Sequence, residues 1–520
     1  MPLFKRQAAV NKSPSPREMA PSSVVPWAYL NKDGDWTIFP KEDCERLENA
    51  ANGEPVIVND GHHQVSVENR CMKLLYWQGD DVPVMRCNWL FETRKGKFIP
   101  IPEPEANAIS ALWSALSPDA VHAFNVTVVD HTTQYQTTAS SGKAPDEIHE
   151  MLNKSFAECT PRQSHRCKAI HHGFGNWDDT AVTRHIRHLV FVVHGIGATY
   201  DKLKRGKPDI LNQAAMLQEQ SNQLIGKYFD PADVDSVFYI PVDWSTVFDE
   251  MGDNLHKTFA RMALDSIPDV REVTNELLSD IPVYMVRQKQ VLRFVTKYMN
   301  DRYSLYMKTH PGFDGDVTLL SHSLGGLISY DLLSLQTDDC DTDMKLVFTP
   351  STYIQFGAPT GFFLGLHGGK QGHAMKLPGV THTFNMFHVQ MSYAYRLEPL
   401  IDLDFPITPP YQVDAAGGKK PFHVRVQDWA DSMSSNKGKG SSNQSDNDEP
   451  ANRMMSSLTD EVVAAMNPKF ERVDFVLPAS TMETSLSMVG ALGAHTSYWT
   501  NEDFVYFVVA HVLGKAAKTE

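Results

Sequence analysis

The sequence is short of three things. Six cysteines (Cys44, Cys71, Cys87, Cys159, Cys167 and Cys340) are scattered over 520 residues with no C-x-x-C pair, which excludes thiolate zinc ribbons and dithiol redox motifs and reads as a reducing compartment. Basic residues are outnumbered, 48 Lys and Arg against 63 Asp and Glu for a net charge of −15. Such a chain gains nothing from phosphate neutralisation along a duplex, so nucleic acid is not an expected partner, and attraction to an anionic membrane has to be local. No apolar run reaches the roughly 18 residues of a spanning helix; "FVYFVVAHVLG" near the C-terminus is too short and holds a histidine. The start "MPLFKRQAAVNKSPSPREMAP" has no apolar core of a signal peptide. These absences point to a cytoplasmic protein whose membrane contact is peripheral and transient.

What is present is an ordinary globular composition, 42% hydrophobic and 21% charged, in a chain long enough for two or three domains. Residues 1–24 are rich in Pro, Ser and basic residues and read as a disordered leader. From 25 to 104, short alternating runs ("WAYL", "WTIFP", "PVIV", "HQVSVEN", "VPVMRCNWLFE") are separated by turn sequences such as "NKDGD" and "NDGH", the pattern of a small β-rich domain. Residues 105–185 form a connecting segment of mixed signals. From 186 to 515 the pattern becomes strand then helix, with near-continuous apolar strands such as "RHLVFVVHG" and "DVTLLSHS". That is the signature of a mostly parallel sheet with helices on both faces, an α/β class. A Ser/Gly/Asn-rich stretch at 413–468 is read as a disordered insertion in it.

Two of the strands end in small residues. "FVVHGIG" closes one at His194, Gly195, Ile196 and Gly197, and "SHSLGG" closes the other at Ser321–Gly326. A serine hydroxyl becomes a nucleophile only with a base beside it and donors for the oxyanion it generates. A strand–turn–helix elbow lifts such a serine above the sheet, and small flanking residues relieve the crowding of its turn. Ser323 is therefore the candidate nucleophile. The N–H of Leu324, with the loop at Gly195 and Ile196, forms the candidate oxyanion site. The chain order of such sheets, nucleophile then acid then histidine, favours His495 in "GAHTSYW" as the base. His511 lies on an apolar helix face and is read as packing, while His388 fits either role.

Taken together, "HLVFVVHGIG", "FYIPVDW", "PGFDGDVTLLSHSLGGLISYDLL", "QFGAPTGFFLGLHG", "AYRLEPLI", "RVDF" and "HTSYWTNED" resemble the DDHD-domain intracellular phospholipase A1 family, the phosphatidic-acid-preferring type. "PWAYLNKDGDWTIFPKEDCERLE" resembles the WWE-like domain of the same enzymes. The resemblance implies an α/β-hydrolase-type fold with its DDHD region at about 347–515, and hydrolysis of the sn-1 acyl ester of glycerophospholipids such as phosphatidic acid. It implies Ser323 as nucleophile with His495 and Asp474 as its catalytic partners, and aligns Asp503 with the last acidic position of the motif. At the first acidic position the family has Asp in Asp-Pro-Val-Ala-Tyr-Arg, whereas this chain reads Met391-Ser392-Tyr393-Ala394-Tyr395-Arg396. Two readings follow: Asp474, Asp402 or Asp404 orients His495, or the chain turns over slowly or not at all and serves as a lipid- or protein-binding member of the fold. An esterase acting on another acyl group shares the same machinery.

Asp and His could also ligate a metal, a reading weakened by a thioether at 391, which suits only soft ions; no metal ligand is assigned, the metal question stays open, and no cofactor is expected. Beyond "HGIG", Lys204 and Arg205 in "YDKLKRGKPD" are candidate contacts for a phosphate head group, against the commoner reading of such a run as a solvated loop. Phe362, Phe363, Leu364 and Leu366 among the glycines of 356–368 fit either an acyl groove or buried packing. The sequence is silent on oligomeric state.

Overall fold

A computed structural model describes residues 24–31, 33–50, 53–77, 79–93, 97–114, 167–172, 186–195, 210–229, 236–244, 247, 268–366, 377–388, 394–401, 409–413, 416, 472–477 and 497–513. The chain divides into two compact units, 1–181 and 182–520.

The first unit is strand-rich. Its strands are β1 (Trp27–Leu30), β2 (Trp36–Ile38), β3 (Val56–Val58), β4 (His63–Ser66), β5 (Cys71–Leu74) and β6 (Val82–Arg86), paired in a 6-stranded sheet of order β2-β1-β6-β5-β4-β3. All of these pairings are antiparallel. Helix α1 (Lys41–Glu48) lays Cys44 and Leu47 against Trp27, Phe39, Val58, Val65, Met72 and Val84 to form the core. β7 (Trp89–Thr93), β8 (Phe98–Pro100) and β9 (Cys167–His172) form a 3-stranded sheet, preceded in chain order at β9 by α2 (Glu103–Ser114). The alternation of the sequence predicts most of these strands. It misses β5, β8, β9 and α1: β8 is only three residues long, and "CMKL", "CKAIHH" and "KEDCERLE" carry charge or cysteine where a periodic apolar face would be.

In the second unit a 7-stranded sheet runs β11-β10-β12-β13-β14-β16-β15, parallel throughout. Its strands are β10 (Ile186–Val193), β11 (Ser236–Val242), β12 (Asp316–His322), β13 (Thr352–Phe356), β14 (His382–His388), β15 (Tyr411–Gln412) and β16 (Asp474–Leu477). Between them lie α3 (Ile210–Tyr228), α4 (Pro268–Thr309), α5 (Leu324–Ser334), α6 (Thr360–Leu366) and α7 (Glu398–Ile401), and α8 (Glu502–Leu513) follows. α4 is kinked at Arg287, where φ is −114°. The leader (1–23), Met391, Asp402, Asp404, His495 and most of the 413–468 insertion lie outside the described residues.

Each central strand is buried on both faces, which is why its sequence reads as an unbroken apolar run. One face carries α3 and α8: Leu217, Leu224 and Ile225 meet Val190, Val192 and Val237, while Phe504 and Phe507 meet Phe356, Phe384 and Phe475. His511 packs among Phe384, Phe475 and Phe507, a core side chain as its helix position predicts. The other face carries α5. The chain leaves β10 toward β11 on one side and leaves β12 toward β13 on the other. A crevice therefore opens between the C-terminal ends of β10 and β12, the place where open parallel sheets bind ligands.

Within the first unit, Arg86 grips the Glu48 carboxylate through Nε and Nη2, at 2.9 and 2.6 Å, and the Trp27 indole N–H donates to the same group at 3.1 Å. These bonds, Arg86's foremost, hold the Glu48 carboxyl below its ordinary value of 4.5. A depressed acid contributes stability above its unfolded pKa and loses it as pH falls through the folded one. Glu48→Gln is expected to lower the urea midpoint at pH 7 and to flatten its further fall below about pH 4.5; a variant as acid-sensitive as the wild type would contradict the pairing.

Candidate active site

β12 ends at His322, and α5 begins at Leu324. Ser323 between them has φ 53° and ψ −126°, a backbone that L-residues adopt only when their surroundings enforce it. Among the described residues of the second unit it is the one non-glycine residue with positive φ. The enforcing contacts are visible: Ser323 N–H donates to Phe356 O at 3.0 Å, and Ser323 O accepts from Gly326 N–H at 2.9 Å. Leu324 is the first residue of α5, so its N–H belongs to the turn that a helix leaves without internal acceptors, at the end where partial positive charge gathers.

Sheet register sets what faces the serine. Val193 pairs with Ser321, so Gly195 comes level with Ser323 across the crevice. A Cβ on Gly195 would stand 2.4 Å from Ser323 Cβ and 3.1 Å from its Oγ, and one on Gly325 would stand 2.3 Å from His194 O. Neither side chain could be accommodated, so the glycines of "HGIG" and "SLGG" are there for contact. Ser321, which replaces the usual first glycine of the elbow, shares a 2.8 Å hydrogen bond with Ser329 Oγ and so docks α5 on the sheet.

The same register puts Ser321, Gln355, Asn385 and Asp474 in one row. Their side chains make a buried polar ladder on the α5 face. The one Tyr353 hydroxyl proton faces two acceptors, Gly326 O at 2.6 Å and Gln355 Oε1 at 2.8 Å; Gln355 Nε2 donates to Asn385 Oδ1 at 2.9 Å; Asn385 Nδ2 donates to Asp474 Oδ1 at 2.9 Å. Asp474 also accepts from Leu397 N–H, Glu398 N–H and Arg396 Nε, at 2.9, 3.2 and 3.1 Å. Glu398 in turn takes Arg396 and Arg472. Burial, with the Glu398 charge beside it, pushes the Asp474 carboxyl upward, and its donors act against that. Burial acts on Glu398 too, but Arg472 and the N–H groups of Val473 and Asp474 outweigh it and hold that carboxyl low.

Asp474, the expected partner of His495, opens β16 on the level of Ser321 and three strand spacings away, roughly 14 Å, with donors from four groups on its two oxygens; His495 itself lies outside the described residues. Its observed contacts tie the segment 394–398 to the sheet. His388 is buried at the end of β14, where its Nε2 and Ser497 Oγ share a 3.0 Å hydrogen bond and its N–H donates to Tyr498 OH. The turn Ser497–Thr500 also packs Trp499 against His322, ring centroids 5.2 Å apart. The chain two residues beyond His495 is thereby fixed beside the elbow. Ile196, Lys204, Arg205 and His495 lie outside the described residues. Asp503 caps Ala416 N–H at 2.7 Å. Among the described residues no cluster of His, Cys, Asp and Glu is arranged to hold a metal, and no helix is long and apolar enough to cross a membrane.

Sequence reasoning passed over two pairs at the site, His194 with Trp244 and Gln355 with Asn385. The signal was present as polar or aromatic residues at the C-terminal ends of otherwise apolar strands. Asp474→Ala removes the acceptor on which four donors converge and leaves a buried guanidinium imbalance. It is expected to lower unfolding free energy by about 3–5 kcal/mol in urea titrations; a loss under about 1 kcal/mol would show that the cluster does not hold the segment.

Comparison with known proteins gives the chain's relatives. A DDHD-domain family model matches residues 346–444 and 427–513. A probable mitochondrial phospholipase of Schizosaccharomyces pombe is 21% identical, over 95% of this chain and 88% of its own length. Human phospholipase DDHD1 is 24% identical over 70% of this chain and 48% of its own. For human triacylglycerol hydrolase DDHD2 the figures are 26%, 60% and 45%. The chain thus spans most of the yeast relative and about half of each human one. The chain therefore carries a DDHD-domain match over its C-terminal third and is similar along more of its length to proteins named phospholipases and lipid hydrolases.

Proposed function

We propose that the chain is a serine-dependent lipid hydrolase of the phospholipase A1 type, cleaving the sn-1 acyl ester of glycerophospholipids such as phosphatidic acid. The observation that carries this reading is the strained Ser323 at a strand-to-helix elbow with Gly195 level with it. The relatives named phospholipases support the substrate class, and the strand order and elbow support a hydrolase-type fold. We read the first unit as WWE-like on its sequence.

In this reading Ser323 Oγ attacks the acyl carbonyl carbon as His495 takes the hydroxyl proton. The carbonyl π electrons move to oxygen, where the N–H groups of Leu324 and of the Gly195–Ile196 loop meet the developing charge. Collapse breaks the ester C–O bond, and His495 returns its proton to the leaving lysolipid alkoxide. Water, deprotonated by the same histidine, then releases the fatty acid and restores Ser323. Of the carboxylates weighed for orienting His495, Asp474 is spent on its own donors, so the role falls to Asp402 or Asp404. Lys204 and Arg205 offer cations to a head-group phosphate at the mouth of the crevice. Access to substrate is from a membrane surface at the cytoplasmic side, by transient contact.

One observation favours a second reading. Met391 stands where the family carries an acid, and a histidine without its carboxylate loses about 10⁴ in turnover, which would leave a lipid-binding protein. Fluorophosphonate labelling, with fatty-acid release from phosphatidic acid and from triacylglycerol, separates the two. The account expects labelling at Ser323 that Ser323→Ala abolishes, and release that His495→Ala reduces by about 10²–10⁴-fold. Folded wild-type protein that neither labels nor releases fatty acid would overturn the catalytic reading and leave the binding one.

A further inference from the structure

The loop that faces Ser323 is held by a side chain to which the chemistry above gives no part. His194 follows the last residue of β10 and is 5% exposed. Its Nδ1 lies 2.8 Å from Gly195 O, and since a carbonyl only accepts, the proton sits on Nδ1. Its Nε2 is then free to accept Trp244 N–H, at 3.3 Å. The Trp244 indole, fully buried, stacks on the imidazole with centroids 5.0 Å apart and planes 13° from parallel, and its Nε1–H donates to His194 O at 3.1 Å. That carbonyl is the atom a Cβ at Gly325 would strike at 2.3 Å. Trp244 therefore holds the loop by the group that touches the first turn of α5. Asp243 Oδ1 is 3.6 Å from Nε2, too long for a hydrogen bond.

We propose that His194, pinned by Trp244, is a positioning residue for acyl transfer: in its Nδ1–H tautomer it fixes the Gly195 loop at the separation from Ser323 that the oxyanion requires. The inference rests on the serine-hydrolase reading above. A packing histidine would need neither ring nitrogen committed nor its own carbonyl held by the ring it stacks on. Here the stack, the two ring bonds and the indole bond all act on the two residues nearest the crevice. The donors of an oxyanion site act by being fixed before charge develops, so loosening this clamp raises the barrier without weakening ground-state binding.

The test uses the full chain as wild type, Trp244→Phe, which keeps a stacked ring and loses the indole donor, and His194→Asn, which keeps a short amide and loses the acceptor toward Trp244 N–H. Ser323→Ala is the blank. Rates of phosphonylation by a fluorophosphonate, kcat and KM on a soluble short-chain ester, and urea midpoints are measured on each. The proposal expects maximal phosphonylation rate and kcat to fall about 10–100-fold, with KM within about twofold and midpoints retained in Trp244→Phe. Folded variants that phosphonylate at the wild-type rate overturn it, as does a rise in KM at constant kcat, or a loss of activity that only tracks loss of folded protein. Wild type that takes up no probe overturns the hydrolase reading, and this inference falls with it.

Discussion

Two backbones meet at the ends of β10 and β12 more closely than any pair of side chains would allow, and the site is organised around that contact. Gly195 and Gly325 make it possible, since a methyl group at either would overlap Ser323 or the His194 carbonyl. The left-handed turn at Ser323 is its other half. That turn is costly for a non-glycine residue, and it persists because β13 holds its N–H and the first turn of α5 holds its carbonyl. The helix that follows then points its N-terminal N–H groups at the crevice. One steric constraint thus sets the serine, the facing loop and a donor together.

The two faces of the large sheet do different work. On the α3 and α8 face the contacts are mainly apolar, from Val190 and Val192 across to Phe475 and Leu477, with the Ser221–Tyr239 hydrogen bond and the Gln218 contacts to β11 among them. On the α5 face a row of polar side chains runs from Tyr353 to Asp474 and on to Arg396, Glu398 and Arg472. Buried polar groups are tolerated only when satisfied, and then they fix geometry. This ladder begins on the third residue after Ser323 and ends on the segment that leads away from β14, where related sheets keep an acid. Asp474, one of the residues for which the motif is lettered, works within that ladder.

The class of the second unit was legible because strands buried on both faces read as apolar runs; β10 and β12 fall where the pattern predicts them. The elbow was legible for the same reason: "SHSLGG" follows such a strand and opens a helix. In the first unit, α1, β5, β8 and β9 were not legible, because short segments carry too little period to read. The work of Asp474 was not legible either. A carboxylate before an apolar strand looks the same in sequence whatever it touches, and its bonds to Asn385, Arg396, Leu397 and Glu398 come from register and loop placement. The grip of Trp244 on His194 joins residues fifty positions apart, a relation that no local pattern encodes.

The central claim is that the contact between the Gly195 loop and the Ser323 elbow forms an oxyanion site. A crystal structure of the protein after reaction with a fluorophosphonate tests it most directly. The account predicts phosphorus bonded to Ser323 Oγ, with its unesterified oxygen within hydrogen-bonding distance of the N–H groups of Leu324 and of the Gly195–Ile196 loop. An adduct whose oxygen turns away from both, or one formed on another residue, would contradict it.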